Sequence, residues 1–331
     1  MQAPATKWSM EHSKHNSVSV IIAAHNAQET IAKAVRSALE QSATAELCVI
    51  DDCSVDATAQ AVESAAAGDP RCKVISLAKN AGPAAARNIG IKATQCDWIA
   101  VLDADDYFLN QRLEKTLAWA DRADFIADDL LRVTPGGETR KAWNIAPDGM
   151  RAVGLDEFVR RNLGRDYDNL DLGFAKPLMR RAFLEGAALA YNEALRLGED
   201  YELYARSLAA GARFVLAPAQ GYVSVVRPNS LSSRHSIADL LALRDCDDCL
   251  LRLPAIGLRE KQALALHRRS VDCRLQWRLL IDAVKRRSAV DAARTFKSSH
   301  VSLYLGARLL EAFAKRVGRC ADLTPHISAS A

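Results

Sequence analysis

Three carboxylates crowd into four residues of this chain. In "VLDADDYF" (101–108), Asp103, Asp105 and Asp106 close an apolar run. Two unit charges about 4 Å apart repel by about 4 kcal/mol at an effective dielectric near 20, so something must relieve the crowding. In an extended segment, residues two apart point to the same side, which would bring Asp103 and Asp105 together and turn Asp106 away. A divalent cation is one source of relief. Asp oxygens suit Mg2+ or Mn2+, ions that keep waters and share a substrate's phosphates. The alternative is an Asp-rich turn that caps the next helix.

Four other segments carry similar potential. "VIDDCSVDAT" (49–58) puts a second Asp pair where it can accept from the N–H of a base or from ribose hydroxyls, unless Ser54 or Asp56 merely caps a helix. "NAGPAAARNIG" (80–90) offers Arg87, able to pair with a phosphate or a base carbonyl, or else a plain surface arginine. "LGEDYEL" (197–203) places Glu199 and Asp200 at a helix start. The helix dipole favours acids there, and a general base for a hydroxyl would also sit well there. "VRPNSLSSRHS" (226–236) is a Ser/Arg loop that either holds a diphosphate or links two regions. The lone C-x-x-C of Cys246 and Cys249 has no second pair or nearby His to complete a zinc set, and reads as two buried thiols on one helix face.

The elements that must position these groups alternate. "SVSVIIAA" (17–24), "AELCVID" (45–51), "CKVISL" (72–77) and "DWIAVLD" (97–103) read as strands. Between them lie a helix with Ile31, Ala34, Val35, Ala38 and Leu39 on one face, a helix over 56–67 with Asp56 as N-cap, and a helix opened by Pro83. This βαβ spacing predicts an α/β fold with a mainly parallel, twisted sheet between helices. Ligands of such sheets gather at the strands' carboxyl ends, where "AHN" (24–26), "DDCS" (51–54) and "DADD" (103–106) fall. Further strands are expected near "DFIADD", "GFAKPLM" and "RFVLAP". From about residue 237 the chain reads as successive helices, the last (303–319) with Leu305, Leu309, Leu310, Phe313 and Val317 on one side.

The chain has 331 residues, of which 49% are hydrophobic, enough for a substantial core. Its net charge of +4 hides an asymmetry: residues 252–320 hold 16 Lys/Arg against 5 Asp/Glu, and the remainder 28 against 35. No apolar stretch approaches the roughly 20 residues of a membrane span, and the polar opening segment lacks a secretory signal's apolar stretch. Eight scattered cysteines fit a reducing compartment. A dinucleotide G-x-G-x-x-G after the first strand and a P-loop are both missing.

Five motifs, in order, resemble the family 2 glycosyltransferases. "VSVIIAAHNAQETIAKAVRSALEQ" is similar to the family's opening strand and helix, "ELCVIDDCSVDAT" to D-D-x-S-x-D-x-T, and "NAGPAAARNIGI" to N-x-G-x-x-x-A-R-N-x-G. "WIAVLDADDYF" resembles its metal-binding D-x-D, and "GEDYELYARSLAAG" its E-D-x-x-L-x-x-R helix. The resemblance covers about residues 17–235. It implies a GT-A fold and an inverting, metal-dependent transfer of a hexose from a UDP-sugar. By it, Asp52 recognises the base with His25 and Arg87 nearby, Asp103 lies against ribose or sugar, Asp105 ligates Mg2+ or Mn2+, and Asp200 is the catalytic base. Asn26 and Arg227 complete the expected nucleotide-sugar set. His25 stands where the family often has Tyr.

Length, Ser/Arg loop and helical tail narrow the likeness to bacterial exopolysaccharide glucosyltransferases of the succinoglycan type. That implies glucose as donor sugar, a glycan or lipid-diphosphate-linked oligosaccharide as acceptor, and a cytoplasmic protein in peripheral contact with the anionic inner face of the cell membrane. No aromatic stacking pattern supports nucleic acid as a partner of the basic tail. The rivals are a sugar-phosphate nucleotidyltransferase and a catalytically silent nucleotide-sugar-binding protein. The expected layout is a disordered lead-in (1–16), a catalytic GT-A domain (17–235), a basic helical region (236–320) and a flexible tail (321–331).

Overall fold

The structure, a computed structural model, describes residues 17–164, 170–227 and 236–321. The expected lead-in, most of the Ser/Arg loop and the tail beyond residue 321 lie outside the described residues. The amino-terminal half alternates as expected: β1 (Val18–Ala24), α1 (Ile31–Leu39), β2 (Thr44–Asp51), α2 (Thr58–Ala66), β3 (Cys72–Ser76), α3 (Pro83–Lys92) and β4 (Trp98–Val101). There follow β5 (Tyr107–Phe108), α4 (Arg112–Leu117), β6 (Phe125–Asp128), β7 (Leu131–Val133), β8 (Thr139–Lys141), β9 (Arg151–Ala152) and α5 (Leu155–Arg160). Then come β10 (Leu178–Arg180), α6 (Arg181–Gly186), α7 (Glu199–Ala209), β11 (Phe214–Ala217) and β12 (Tyr222–Val225). The rest is helical: α8 (Ile237–Leu251), α9 (Leu258–Lys285), α10 (Ala289–Arg294) and α11 (Ser299–Ala321).

Among the described residues the main sheet runs β3-β2-β1-β4-β10-β6-β11-β9, and a smaller one runs β5-β12-β7-β8. Strands β1 to β4 are parallel, and so are β6 and β11, but β10 is antiparallel to both β4 and β6, and β9 to β11. The sheet keeps the expected parallel run of β1 to β4 and becomes mixed beyond it through β10 and β9. Strand β10 is short and enters the sheet from the edge where its neighbours end. Residues just ahead of it thus land beside the carboxyl ends of β4 and β6.

Helix α1 buries Ile31, Ala34, Val35 and Ala38, as their spacing requires. Helix α3 starts with Pro83 at its first turn. Its Gly90 is needed for close approach, because a Cβ there would stand 2.5 Å from Ile21 Cγ2 on β1. Asp56 does not cap α2, whose N-cap position is Ala57. Instead Asp56 accepts from the N–H and hydroxyl of Thr58 and from the N–H of Gln28, tying the loop after β1 to the start of α2.

Helices α8 and α9 pack into the same hydrophobic core as the sheets, and that core runs from Val18 to Leu275. Helices α8 and α9 therefore extend the core that the sheets form. A second, small cluster joins α9 to α11 through Cys273, Leu280, Val301 and Leu305. Of the residues expected on one side of the last helix, Leu305 is buried, whereas Leu310 is 72% and Phe313 67% exposed, and the Val317 side chain lies outside the described residues. Val301 and Leu305 are covered by α9, while Leu303, Leu310 and Phe313 are exposed. The C-x-x-C reading also needs correction. Cys246 is buried and Cys249 exposed, so the two thiols do not share a buried face.

Candidate active site

The loops after β1, β2 and β4 meet at one edge of the main sheet, with the start of α3. His25 and Asn26, both exposed, follow β1. His25 Nδ1 lies 2.9 Å from the Asp52 carbonyl oxygen, and its Nε2 lies 3.2 Å from the Asn26 amide nitrogen. Asn26 sits at φ +51°, a conformation Asn tolerates. Its side-chain oxygen accepts from Val55 N–H, and its own N–H donates to Ser54 Oγ, both at 2.9 Å. The pair locks the first loop onto the second. Asp52 is buried, and its carboxylate accepts from the backbone N–H groups of Ala81 (2.6 Å) and Gly82 (2.9 Å) just ahead of α3.

Beside these loops lies a buried charge cluster. Arg87, carried by α3, is buried, which excludes the surface-arginine reading. One guanidinium nitrogen donates to Glu199 (2.6 Å) and Asp200 (3.3 Å), the other to Asp103 (2.9 Å). The ammonium of Lys176, two residues before β10, lies 2.7 Å from Asp200 Oδ2 and 3.0 Å from Asp103 Oδ2. Glu199 and Asp200 open α7 after Gly198. Both are buried and paired, so attraction to the helix dipole is not their whole role. Burial alone would raise the Asp103 pKa, but Lys176 and Arg87 more than offset it and hold the carboxyl at about 2. Burial raises Glu199, partly countered by Arg87. The same acids raise the Arg87 and Lys176 pKa values despite burial.

The opening crowd of acids is resolved without extended backbone. Residues 103–106 form a tight turn, with Asp106 N–H donating to the Asp103 carbonyl at 3.1 Å, so the same-side argument for Asp103 and Asp105 does not apply. Asp106 does turn away from the cleft. It is buried, accepts from Tyr222 Oη (3.0 Å) and Val225 N–H (2.8 Å), and burial plus the Asp103 charge push its pKa up to about 8. Each of the three acids thus has its own relief: Asp103 is paired with two cations, Asp106 is neutral near pH 7, and Asp105 stands at the mouth. The Asp105 side chain is 43% exposed and has Arg227 Nε 3.5 Å away. Burial of the remainder and the Asp103 charge raise its pKa.

Asp105 fits a divalent ion in one specific way. Among the described residues no group of three or more His, Cys, Asp or Glu is placed to hold a metal. A cation here would take one carboxylate from the protein and its other ligands from water and substrate phosphate oxygens, the habit of Mg2+.

Behind α7, Tyr201, the residue after Asp200, donates from its hydroxyl to Asp247 Oδ1 of α8 at 2.9 Å. His267 Nδ1 of α9 lies 2.7 Å from the other Asp247 oxygen, and its ring packs 4.4 Å from that of Tyr201. The carboxyl-terminal helices therefore brace the turn that carries Glu199 and Asp200.

The sequence reading singled out Asp103, Arg87 and Asp200, and the structure brings them together. His25, Asn26 and Asp52 form a neighbouring group, and Arg227 meets Asp105. Lys176 was missed. Its only local signal is a lone charge in the apolar run "GFAKPLM".

Comparison with known proteins identifies the family and the fold. The family description "Glycosyl transferase family 2" matches residues 19–186. Succinoglycan biosynthesis protein ExoU of Rhizobium meliloti (strain 1021) is 42% identical over 269 residues, covering 80% of this chain and 78% of that protein. ExoO, another succinoglycan biosynthesis protein of that organism, is 37% identical over 313 residues, 91% of this chain and 88% of its own. Staphylococcus aureus TarS 1-349 in complex with UDP-GlcNAc superposes with a TM-score of 0.61 at 20% identity, covering 84% of this chain and 90% of that one. The Pyrobaculum calidifontis mannosyltransferase PcManGT, in complex with GDP-Man and Mn2+, gives 0.55 at 17%, covering 91% and 86%. At these identities the structural likenesses establish the fold, the GT-A fold with helices following it.

Proposed function

Because the chain belongs to glycosyl transferase family 2, we propose that it moves a hexose, glucose in our reading, with inversion from a UDP-sugar to a hydroxyl of a glycan or lipid-diphosphate-linked oligosaccharide in exopolysaccharide assembly. The observation that carries this reading is the buried cluster joining Asp200 to Asp103 through Arg87 and Lys176 at the end of β4. Asp200 takes the proton from the acceptor hydroxyl as that oxygen attacks the sugar carbon from the side opposite the leaving diphosphate. His25, Asn26 and the turn held by Asp52 receive the base, and Asp103 faces the ribose or sugar. Asp105 would hold Mg2+ or Mn2+, which when bound offsets the negative charge that develops on the departing diphosphate. Arg227, beside Asp105, pairs with a phosphate oxygen.

Exopolysaccharide assembly is supported by the likeness to ExoU and ExoO, both succinoglycan biosynthesis proteins. Peripheral contact with an anionic, cytoplasmic membrane face is supported by the basic excess of residues 252–320 and by the exposed Leu303, Leu310 and Phe313 on α11. No helix among the described residues is long and apolar enough to cross a membrane.

A donor screen by UDP release tests the reading. UDP-glucose, UDP-galactose and the N-acetylated UDP-sugars are assayed with Mg2+ or Mn2+, with and without a membrane lipid extract. Release from one donor, raised by the extract and stopped by EDTA, is expected. Asp200→Asn should lower it by about 10²–10⁴-fold with UDP affinity retained. Unchanged release from that variant would remove Asp200 as the base, and full activity after thorough chelation would remove the metal.

A further inference from the structure

Lys176 is a buried lysine whose ammonium contacts two carboxylates from different elements, Asp103 after β4 and Asp200 on α7. Such a group is held in place only if its own backbone is fixed, and here it is fixed on each side. The Lys176 carbonyl accepts from Arg112 Nη2 at 2.7 Å, and the preceding Ala175 carbonyl accepts from Tyr204 Oη at 3.2 Å. Tyr204 belongs to α7, the helix that carries Asp200. Arg112 is fully buried and paired with Asp128 at the end of β6. The other oxygen of Asp128 accepts from the N–H groups of Gln220, Gly221 and Tyr222. Tyr222 closes the ring, since its hydroxyl accepts from Asp103 N–H at 3.2 Å. Pro177 follows Lys176 and restricts the backbone where β10 begins.

The geometry points to Lys176 as the positioning residue of the base: its ammonium ties Asp200 to Asp103, so that the carboxylate facing the acceptor keeps a set distance and orientation relative to the carboxylate facing the donor sugar. This rests on the assignment of Asp200 as the base. Arg87 spans the same acids but reaches Asp200 only at 3.3 Å, its shorter contact being with Glu199. Lys176 makes the closer contact with the base. A single-nitrogen bridge suits the task, since an ammonium has three donors and can serve two carboxylates from one point. A misplacement of about 1 Å at a reacting group costs as much as 10²-fold in rate, so loss of the tether appears in turnover before binding.

The test compares Lys176→Met, Lys176→Gln and Lys176→Arg with the wild-type chain, measuring kcat, KM for the donor, UDP affinity and thermal unfolding. Lys176→Met should lower kcat by about 10²-fold while KM and UDP affinity move several-fold less. Lys176→Arg, which keeps the charge but shifts its point of contact, should recover part of the loss. Should the Met variant fail to fold, Lys176→Gln carries the same expectation, because its amide can still donate to one carboxylate. A folded Met or Gln variant with kcat within about twofold of wild type would overturn the proposal. So would a loss confined to KM, or one that tracks thermal stability alone with no recovery by Arg. Activity that survives Asp200→Asn would instead overturn the base assignment, and with it this inference. An inactive Asp200→Asn variant beside fully active Lys176 variants would remove only the role of Lys176.

Discussion

The Tyr222 hydroxyl serves two neighbours, accepting from Asp103 N–H and donating to Asp106, and so couples an ionised acid to a neutral one three residues away. Asp106 keeps its proton in the folded chain to about pH 8, whereas an unfolded Asp loses it near 3.9. Between those values the folded state holds more protons, so the Asp106 contribution to stability falls as pH rises from about 4 to about 8. Asn keeps the shape and has no proton to lose there. Asp106→Asn should show a shallower decline of unfolding free energy between pH 5 and 8, read by urea denaturation at fixed ionic strength, and a slope equal to wild type would contradict the neutral carboxyl. Much of this chemistry was legible beforehand. Asp103, Arg87 and Asp200 were singled out from residue type and position, whereas Asp106 faces away because of the turn at 103–106 and not the extended backbone that was expected. What could not be read was which cation answers which acid. Asp103 owes its ionisation to Lys176 and Arg87, and contacts across 73 and 16 residues leave no trace in local spacing.

At the scale of elements, the Glu199–Asp200 turn depends on Gly198. Its φ is +83°, and a Cβ there would stand 2.7 Å from Leu243 Cδ2 on α8. A left-handed L-residue costs about 1–2 kcal/mol, and displacement of Leu243 adds to it. Gly198→Ala should therefore lower unfolding free energy by about 1–3 kcal/mol and reduce kcat more than UDP affinity, because the shift falls on the turn bearing Asp200. Equal stability in chemical denaturation would show that α8 yields without cost. Periodicity foretold β1 to β4 and α7 because each carries its own apolar pattern. It gave no warning of the direction of β10, three residues long, since strand polarity is set by how the chain enters the sheet. On α11 the limit of spacing is similar. Spacing shows that a helix has an apolar face, and tertiary contacts decide which face is covered.

Among the described residues a large core and a second, small cluster support a basic, partly apolar carboxyl-terminal end. If that end meets lipid, the exposed Leu310 and Phe313 are the contacts to remove, each worth about 1.5–3 kcal/mol when buried. The double variant Leu310→Asp/Phe313→Asp should bind anionic vesicles at least about tenfold more weakly than wild type in a flotation assay, with little change in thermal stability. Equal flotation would place the contact elsewhere. The shared core also has a temporal side. Tyr201, next to the proposed base, meets Asp247 and His267 only after both have been made. At about 5–20 residues per second, His267 leaves the synthesis site roughly 3–13 s after Tyr201. For those seconds the growing chain carries the acids of the cleft without the helices that brace them. Chain order thus leaves the turn that bears Asp200 without Asp247 and His267 until those residues emerge, and a fragment that ends between residues 227 and 247 holds every proposed active-site residue while lacking these two partners.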